Sequence, residues 1–155
     1  MIDFMSTQDS YHYALWLLGA REHSVKEMTQ KLSRKGFDAE QIDATLKRLF
    51  EYNYLSDQRF AESFARSKAA KPLGKQRIQN ELRQKGIEDE LAHQALEALD
   101  VDWFELALEL KQRKFGETVA KDFKAKGKQT RYLVYSGFSL DQVRNAIEFD
   151  PEGED

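Results

Sequence analysis

Apolar positions in this chain recur at intervals of three and four. That spacing puts side chains on one face of an α-helix, with polar residues filling the gaps. Tyr11, Leu15 and Leu18 set such a face over residues 7–20, widened by Trp16 and Leu17. Ser24, with Glu27 three residues later, predicts a capping box, followed by the stripe Val25, Met28, Leu32 and a stop at Gly36. A third helix begins near Asp38 and carries Ala39, Ile42, Leu46 and Leu49. Three helices thus fill residues 7–53.

Two further groups follow the same plan. Ser56 and Asp57 cap a helix in which Phe60 and Phe64, four apart, share a face and Lys68 falls on the last turn. Lys71-Pro72-Leu73-Gly74 breaks the chain, because proline disfavours helix at the residue before it. Helices over 75–85 (Ile78, Leu82) and 88–98 (Leu91, Ala95, Leu96) complete that group. Asp102 and Glu105 predict another capping box, with Trp103, Ala107 and Leu110 on one side and Phe104 and Leu108 on another. Phe60, Phe64, Trp103 and Phe104 read as core residues rather than base-stacking platforms, since they repeat at helical spacing. A glycine costs a helix interior about 1 kcal/mol, so Gly127 predicts a break in an irregular basic stretch that ends at Arg131. Ser139 and Gln142 cap a last helix to Glu148. Residues 1–6 are expected as a loose end, and 150–155 as an acidic disordered tail.

The three groups are copies. Aligned on Gly36, Gly86 and Gly137, Leu32, Leu82 and Leu133 stand four residues before, and Phe37, Ile87 and Phe138 one after. Ile42, Ala92 and Val143 stand six after, and Leu46, Leu96 and Ile147 ten after. A glycine just past a helix takes the left-handed conformation that caps the last carbonyls, and the apolar residue behind it packs back onto the helix. A period near fifty residues makes the fold class all-α, three tandem three-helix repeats over 7–55, 56–101 and 102–149.

Composition narrows the chemistry. The 155 residues contain no cysteine, which removes disulfides, thiolate metal sites and cysteine nucleophiles. The longest apolar run, Ala14 to Leu18, is far short of the roughly 20 residues a membrane helix needs, so a soluble cytoplasmic protein is expected. A net charge of −3 hides segregation. Arg59–Lys85 holds eight basic residues against two acidic, and Lys111–Arg131 repeats that ratio. Glu88–Glu109 between them has eight acidic residues and no Lys or Arg. Such blocks suit charged faces aimed at a partner.

Catalysis finds no support. His12, His23 and His93 are scattered without metal-ligand spacing. His23 beside Ser24 reads as a surface helix cap, not a base and nucleophile, because neighbouring residues do not face each other. Gly74-Lys75 lacks the first glycine and the hydroxyl of a phosphate loop, with Ala69 and Gln76 in those places. No enzymatic activity, metal or cofactor is expected.

Arg21-x-His23-Ser24-x-x-Glu27-Met28-x-x-Lys31-Leu32-x-x-Lys35-Gly36 and Tyr54-Leu55-x-Asp57-x-Arg59-Phe60-Ala61 resemble the RecX family. So do Gly74-x-x-Arg77-Ile78-x-x-Glu81-Leu82-x-x-Lys85-Gly86-Ile87 and Arg131-Tyr132-Leu133-x-x-x-Gly137-Phe138-Ser139, a match spanning residues 10–148. One departure is Lys71-Pro72-Leu73-Gly74, where the family often has glycine-x-glycine. The resemblance implies a regulator of recombination and DNA repair. Such a regulator lies in the groove of the RecA filament on single-stranded DNA and restrains strand exchange and ATP hydrolysis. It also implies that the repeats form an elongated, curved array.

The main contact face expected is Arg59, Arg66, Lys68, Lys71, Lys75 and Arg77, with a second at Arg113, Lys114, Lys124, Lys126 and Arg131. These cations suit acidic surface of the recombinase filament, DNA phosphates, or both. Reversing charge at Arg66, Lys71 and Arg77 together should weaken filament binding without unfolding the chain. A helix-turn-helix DNA reader or a generic helical scaffold is the alternative. Sequence-specific reading is disfavoured because the third helix of the second repeat is acidic and phosphate would repel it. A monomer is expected, since no long heptad seam asks for a dimer.

Overall fold

The computed structural model describes residues 6–153, and among these the chain is helical throughout, without strands. α1 (Thr7–Ala20), α2 (Val25–Lys35) and α3 (Ala39–Glu51) form the first repeat. α4 (Asp57–Ala69), α5 (Lys75–Gln84) and α6 (Asp89–Glu97) form the second, and α7 (Trp103–Phe115), α8 (Phe123–Tyr135) and α9 (Leu140–Glu148) the third.

Each repeat turns the same corner. Gly36, Gly86 and Gly137 have φ of 112°, 83° and 102°. Behind them the N–H groups of Phe37, Ile87 and Phe138 donate to the carbonyls of Leu32, Leu82 and Leu133 at 3.2, 3.0 and 3.2 Å. Those three leucines are fully buried, and the residues after the glycines nearly so. The capping boxes at Ser24 and Ser139 are present, and Asp38 with Gln41 and Ser6 with Asp9 form two more. Residues 1–5 of the expected loose end lie outside the described residues. Of the expected tail, residues 150–153 close a turn in which Gly153 N–H donates to the Asp150 carbonyl at 3.0 Å. Residues 154–155 lie outside the described residues.

Three local expectations are corrected. α8 runs through Gly127 without a break, so the irregular segment is only 116–122. Asp122 caps the helix and Leu133 is buried from it. Burying a leucine is worth about 1.5–3 kcal/mol, more than the cost of one helical glycine. The Asp102 cap is one-sided, accepting from Phe104 and Glu105 N–H at 3.0 and 3.2 Å with no return bond from Glu105. Phe104 is exposed rather than core, because it lies off the face that buries Ala107 and Leu110.

The helices pack as two units. Among the described residues, one comprises residues 6–64 together with Leu82–Ala95, and the other Ala65–Glu81 together with residues 96–153. The first has Tyr11, Ala14, Leu17, Met28, Leu32, Phe37 and Leu49 at its centre. The second has Ala107, Leu110, Leu133, Phe138, Val143 and Ile147.

Both units contain the same joint. In the first, Gly86 lies against the first turn of α2, where a Cβ would come within 2.8 Å of the Lys26 Cβ, and Lys26 Nζ donates to the Gln84 carbonyl at 3.1 Å. In the second, Gly137 lies against the first turn of α5, where a Cβ would overlap Arg77. Gly74 and Gln76 N–H donate to the Ser136 and Gly137 carbonyls at 2.8 and 3.1 Å, and a side chain at Gly74 would overlap the Gly137 backbone. Within the Lys71–Gly74 turn, Gly74 is the residue that meets Gly137 in this close approach, with Pro72 buried beside it.

Candidate partner-binding surfaces

The predicted cations divide into held and free. Arg59 pairs with Glu22 at 2.8 Å, Lys75 with Glu97 at 3.0 Å and Arg113 with Glu109 at 2.7 Å. Lys68 and Arg77 share Glu81 at 3.5 and 3.1 Å. The Arg77 guanidinium also lies 5.1 Å from the Tyr135 ring, and Lys114 sits 5.2 Å from the Tyr132 ring. Exposed pairs of this kind are worth about 0–1 kcal/mol, so a partner could replace them cheaply. Arg66, Lys71, Lys124, Lys126 and Arg131 are exposed and make no ion pair among the described residues. Arg66 lines a cleft of about 410 Å³ that also holds Asp100, Asp102, Glu105 and Glu109, a setting unsuited to phosphate.

The free cations concentrate on α8. Lys124, Lys128, Arg131 and Tyr135 follow one another at spacings of four, three and four, so they stand in one exposed row. Phe123 at the start of the helix is 92% exposed and Tyr135 at its end 75%. Lys128, Phe123 and Tyr135 stand outside the contact faces expected from the sequence. The signal was the helical spacing of cations, hidden by the break assumed at Gly127. Lys111 is the opposite case. It belongs to the same basic run yet is fully buried, with Nζ donating to the Gly116 and Thr118 carbonyls at 2.9 and 3.1 Å.

A second cationic site, absent from the sequence reading, lies in the first unit. Glu27 is buried at the start of α2, and its carboxylate receives Arg21 at 3.0 Å, Lys85 at 3.0 Å and the Ser24 N–H at 3.2 Å. Burial pushes its pKa up, but the bonds from Arg21, Lys85 and Ser24 outweigh that and hold it at about 2. The next α2 amide, Val25 N–H, donates to Asp57 at 2.8 Å. Burial, opposed by that bond and reinforced by Glu88, raises the Asp57 pKa.

Ser24 caps α2 as expected, but it and His23 are buried rather than at the surface. His23 Nδ1 lies 3.0 Å from the Arg21 carbonyl and Nε2 2.9 Å from Lys31 Nζ, so the neutral ring donates through Nδ1 and accepts through Nε2. Burial, with Arg21 and Lys31 nearby, lowers the His23 pKa and favours that form. Ser24 Oγ accepts the Glu27 N–H at 3.0 Å. Neither residue is arranged as a nucleophile with its base.

Three family descriptions match the chain in order. The first three-helix domain of RecX matches residues 11–49, the second 56–96 and the third 100–147. The chain belongs to the RecX family. "Regulatory protein RecX" of Vibrio parahaemolyticus serotype O3:K6 is 40% identical over 146 residues, 94% of either chain. That of Halorhodospira halophila is 41% identical over 133 residues, 86% of this chain and 83% of the relative. The crystal structure of RecX from Lactobacillus salivarius shares the fold, with a TM-score of 0.77 at 24% identity, covering 92% of this chain and 94% of that one.

RecX relatives are named as regulators rather than as enzymes. None of the described helices is long and apolar enough to cross a membrane. Arg21, Glu27, Lys31 and Lys85, among the residues that carry the RecX resemblance, all meet at the second cationic site.

Proposed function

We propose that this chain is a cytoplasmic regulator of homologous recombination and repair that binds the RecA filament on single-stranded DNA along its groove. Bound there, it inhibits strand exchange and ATP hydrolysis without chemistry or cofactor of its own, acting as a monomer. The exposed row Lys124, Lys128, Arg131 and Tyr135 on α8 carries the reading. Cations at helical pitch, flanked by exposed rings, suit the acidic and phosphate-bearing surface of such a polymer. Lys71 and Lys126 add free charge. Arg66 stands among carboxylates and suits a protein contact better than a phosphate one.

The test is titration of the chain into a RecA ATPase assay on single-stranded DNA, beside a variant carrying Lys124→Glu, Lys128→Glu and Arg131→Glu. The three residues are exposed, so helicity should be retained, while the concentration for half-inhibition should rise at least about tenfold and the wild-type effect should weaken with salt. Unchanged inhibition by a folded variant would refute the assignment. A DNA-only binding control at several salt concentrations separates contacts to DNA from contacts to the recombinase.

A further inference from the structure

Beside Glu27 the first unit opens a cleft of about 400 Å³ lined by Arg21, Lys26, Lys31, Arg34, Lys85 and two glutamines. Five cations surround one carboxylate, and that carboxylate is already bonded to two of them. An ammonium has three donors. Lys26 uses one on the Gln84 carbonyl, Lys31 one on His23 and Lys85 one on Glu27. Arg34 is exposed and makes no side-chain bond among the described residues. The fold thus pins most of these groups in place and leaves donors directed to solvent. Burial together with repulsion from Arg21, Lys85 and Arg34 lowers the Lys31 pKa, a sign of cations crowded without enough counter-charge.

We propose that this cleft is an oxyanion site for phosphate groups. A polyvalent phosphate offers several acceptors to several fixed donors and relieves the excess positive charge, where a single carboxylate would satisfy only one or two. Among the described residues the walls carry no aromatic or aliphatic side chain to stack a base or hold an acyl chain. Recognition is of the phosphate itself, whether from a free polyphosphate or from a single-stranded backbone. The site lies in the first unit and the α8 row in the second, and its test needs no recombinase.

The experiment follows the His23 and Lys31 side-chain NMR signals of the full chain during titration at constant ionic strength. The three probes are inorganic pyrophosphate, an oligothymidylate and a polyglutamate peptide. Saturable shifts at both residues with pyrophosphate are expected. The Lys31→Gln and Arg34→Gln variants should each weaken binding about tenfold, and Lys47→Gln, exposed on α3 and outside the cleft lining, should leave it unchanged. Arg34 is exposed, so its variant tests the site even if the loss of Lys31 disturbs His23. Response to pyrophosphate but not to the oligonucleotide identifies the source as free phosphate, and response to both identifies a backbone. Absence of saturation by pyrophosphate, equal loss in Lys47→Gln, or saturation by polyglutamate alone would overturn the proposal.

Discussion

Replacing Glu27 by Gln keeps the shape and the acceptor for the Ser24 N–H but removes the charge that gathers Arg21 and Lys85. The carboxyl sits at about 2 against an ordinary 4.5. One pKa unit is about 1.4 kcal/mol, so the shift alone corresponds to about 3 kcal/mol. Arg21 and Lys85 remain 48% and 41% exposed, and solvent screening brings the expected cost to about 2 kcal/mol. For a chain of this size that is a fall in Tm of about 4–8 °C at pH 7. The sign follows from proton binding. The folded carboxyl has the lower pKa, so its stabilisation is complete above the unfolded value and is lost as pH falls through the folded one. Urea unfolding of both proteins at pH 7, 5, 4 and 3 should show a gap that holds to pH 5, falls below half by pH 3 and closes near pH 2. A gap that stays level from pH 7 to 3, or no gap at pH 7, would sink the account.

Asp57 should act in the opposite sense, because burial raises its pKa, so folding favours the protonated form and the charged form at pH 7 weighs against the fold. Asp57→Asn, which keeps the acceptor for Val25, should therefore unfold at an equal or higher urea concentration at pH 7, and a lower midpoint would contradict this. Gly137→Ala places a Cβ on Arg77 at a left-handed φ and should cost about 2 kcal/mol or more in chemical denaturation. Gly127→Ala meets only the mobile end of Arg131, 3.3 Å away, and should instead raise stability by about 1 kcal/mol. Lys111→Met deprives the Gly116 and Thr118 carbonyls of their donor, with an expected loss of about 2 kcal/mol. Faster amide exchange over residues 116–121 would accompany it.

The repeat was legible because each copy writes itself into five positions, a leucine, a glycine and three following apolar residues. Capping was equally legible at Ser24 and Ser139, where both halves of the box lie within four residues. What failed was comparison between local and distant terms. Gly127 looked like a breaker because its local cost is visible, while the burial of Leu133 that outweighs it depends on partners elsewhere in the third repeat. Ser56 and Asp57 read together as a cap; Ser56 Oγ does accept the Arg59 N–H, while Asp57 serves α2, thirty-two residues earlier. The charge blocks misled in the same way. Glu97 and Glu109, from the acidic segment, fold back onto Lys75 and Arg113, and Lys111 is withdrawn from the surface. The cleft at Glu27 joins α2 to residues 84 and 85, so no spacing rule could collect it.

The two glycine joints explain why some cations are poor probes of partner binding. Lys26 and Arg77 occupy the first turns of α2 and α5, and in each joint the aliphatic stem covers the glycine that ends a later helix. Their charged ends are then held by the fold, Lys26 on the Gln84 carbonyl and Arg77 between Glu81 and the Tyr135 ring. Reversing Arg77 would put a carboxylate beside Glu81 and uncover Gly137, so weakened filament binding by such a variant would report a damaged joint as readily as a lost contact. Lys124, Lys128 and Arg131 carry no such duty, because they stand exposed on α8 without an ion pair among the described residues. Arg77→Lys separates the two roles. It keeps the stem and the charge, so inhibition should persist if charge is what a partner reads, while lost contact with Glu81 and Tyr135 should appear only as a small drop in stability, about 1 kcal/mol or less.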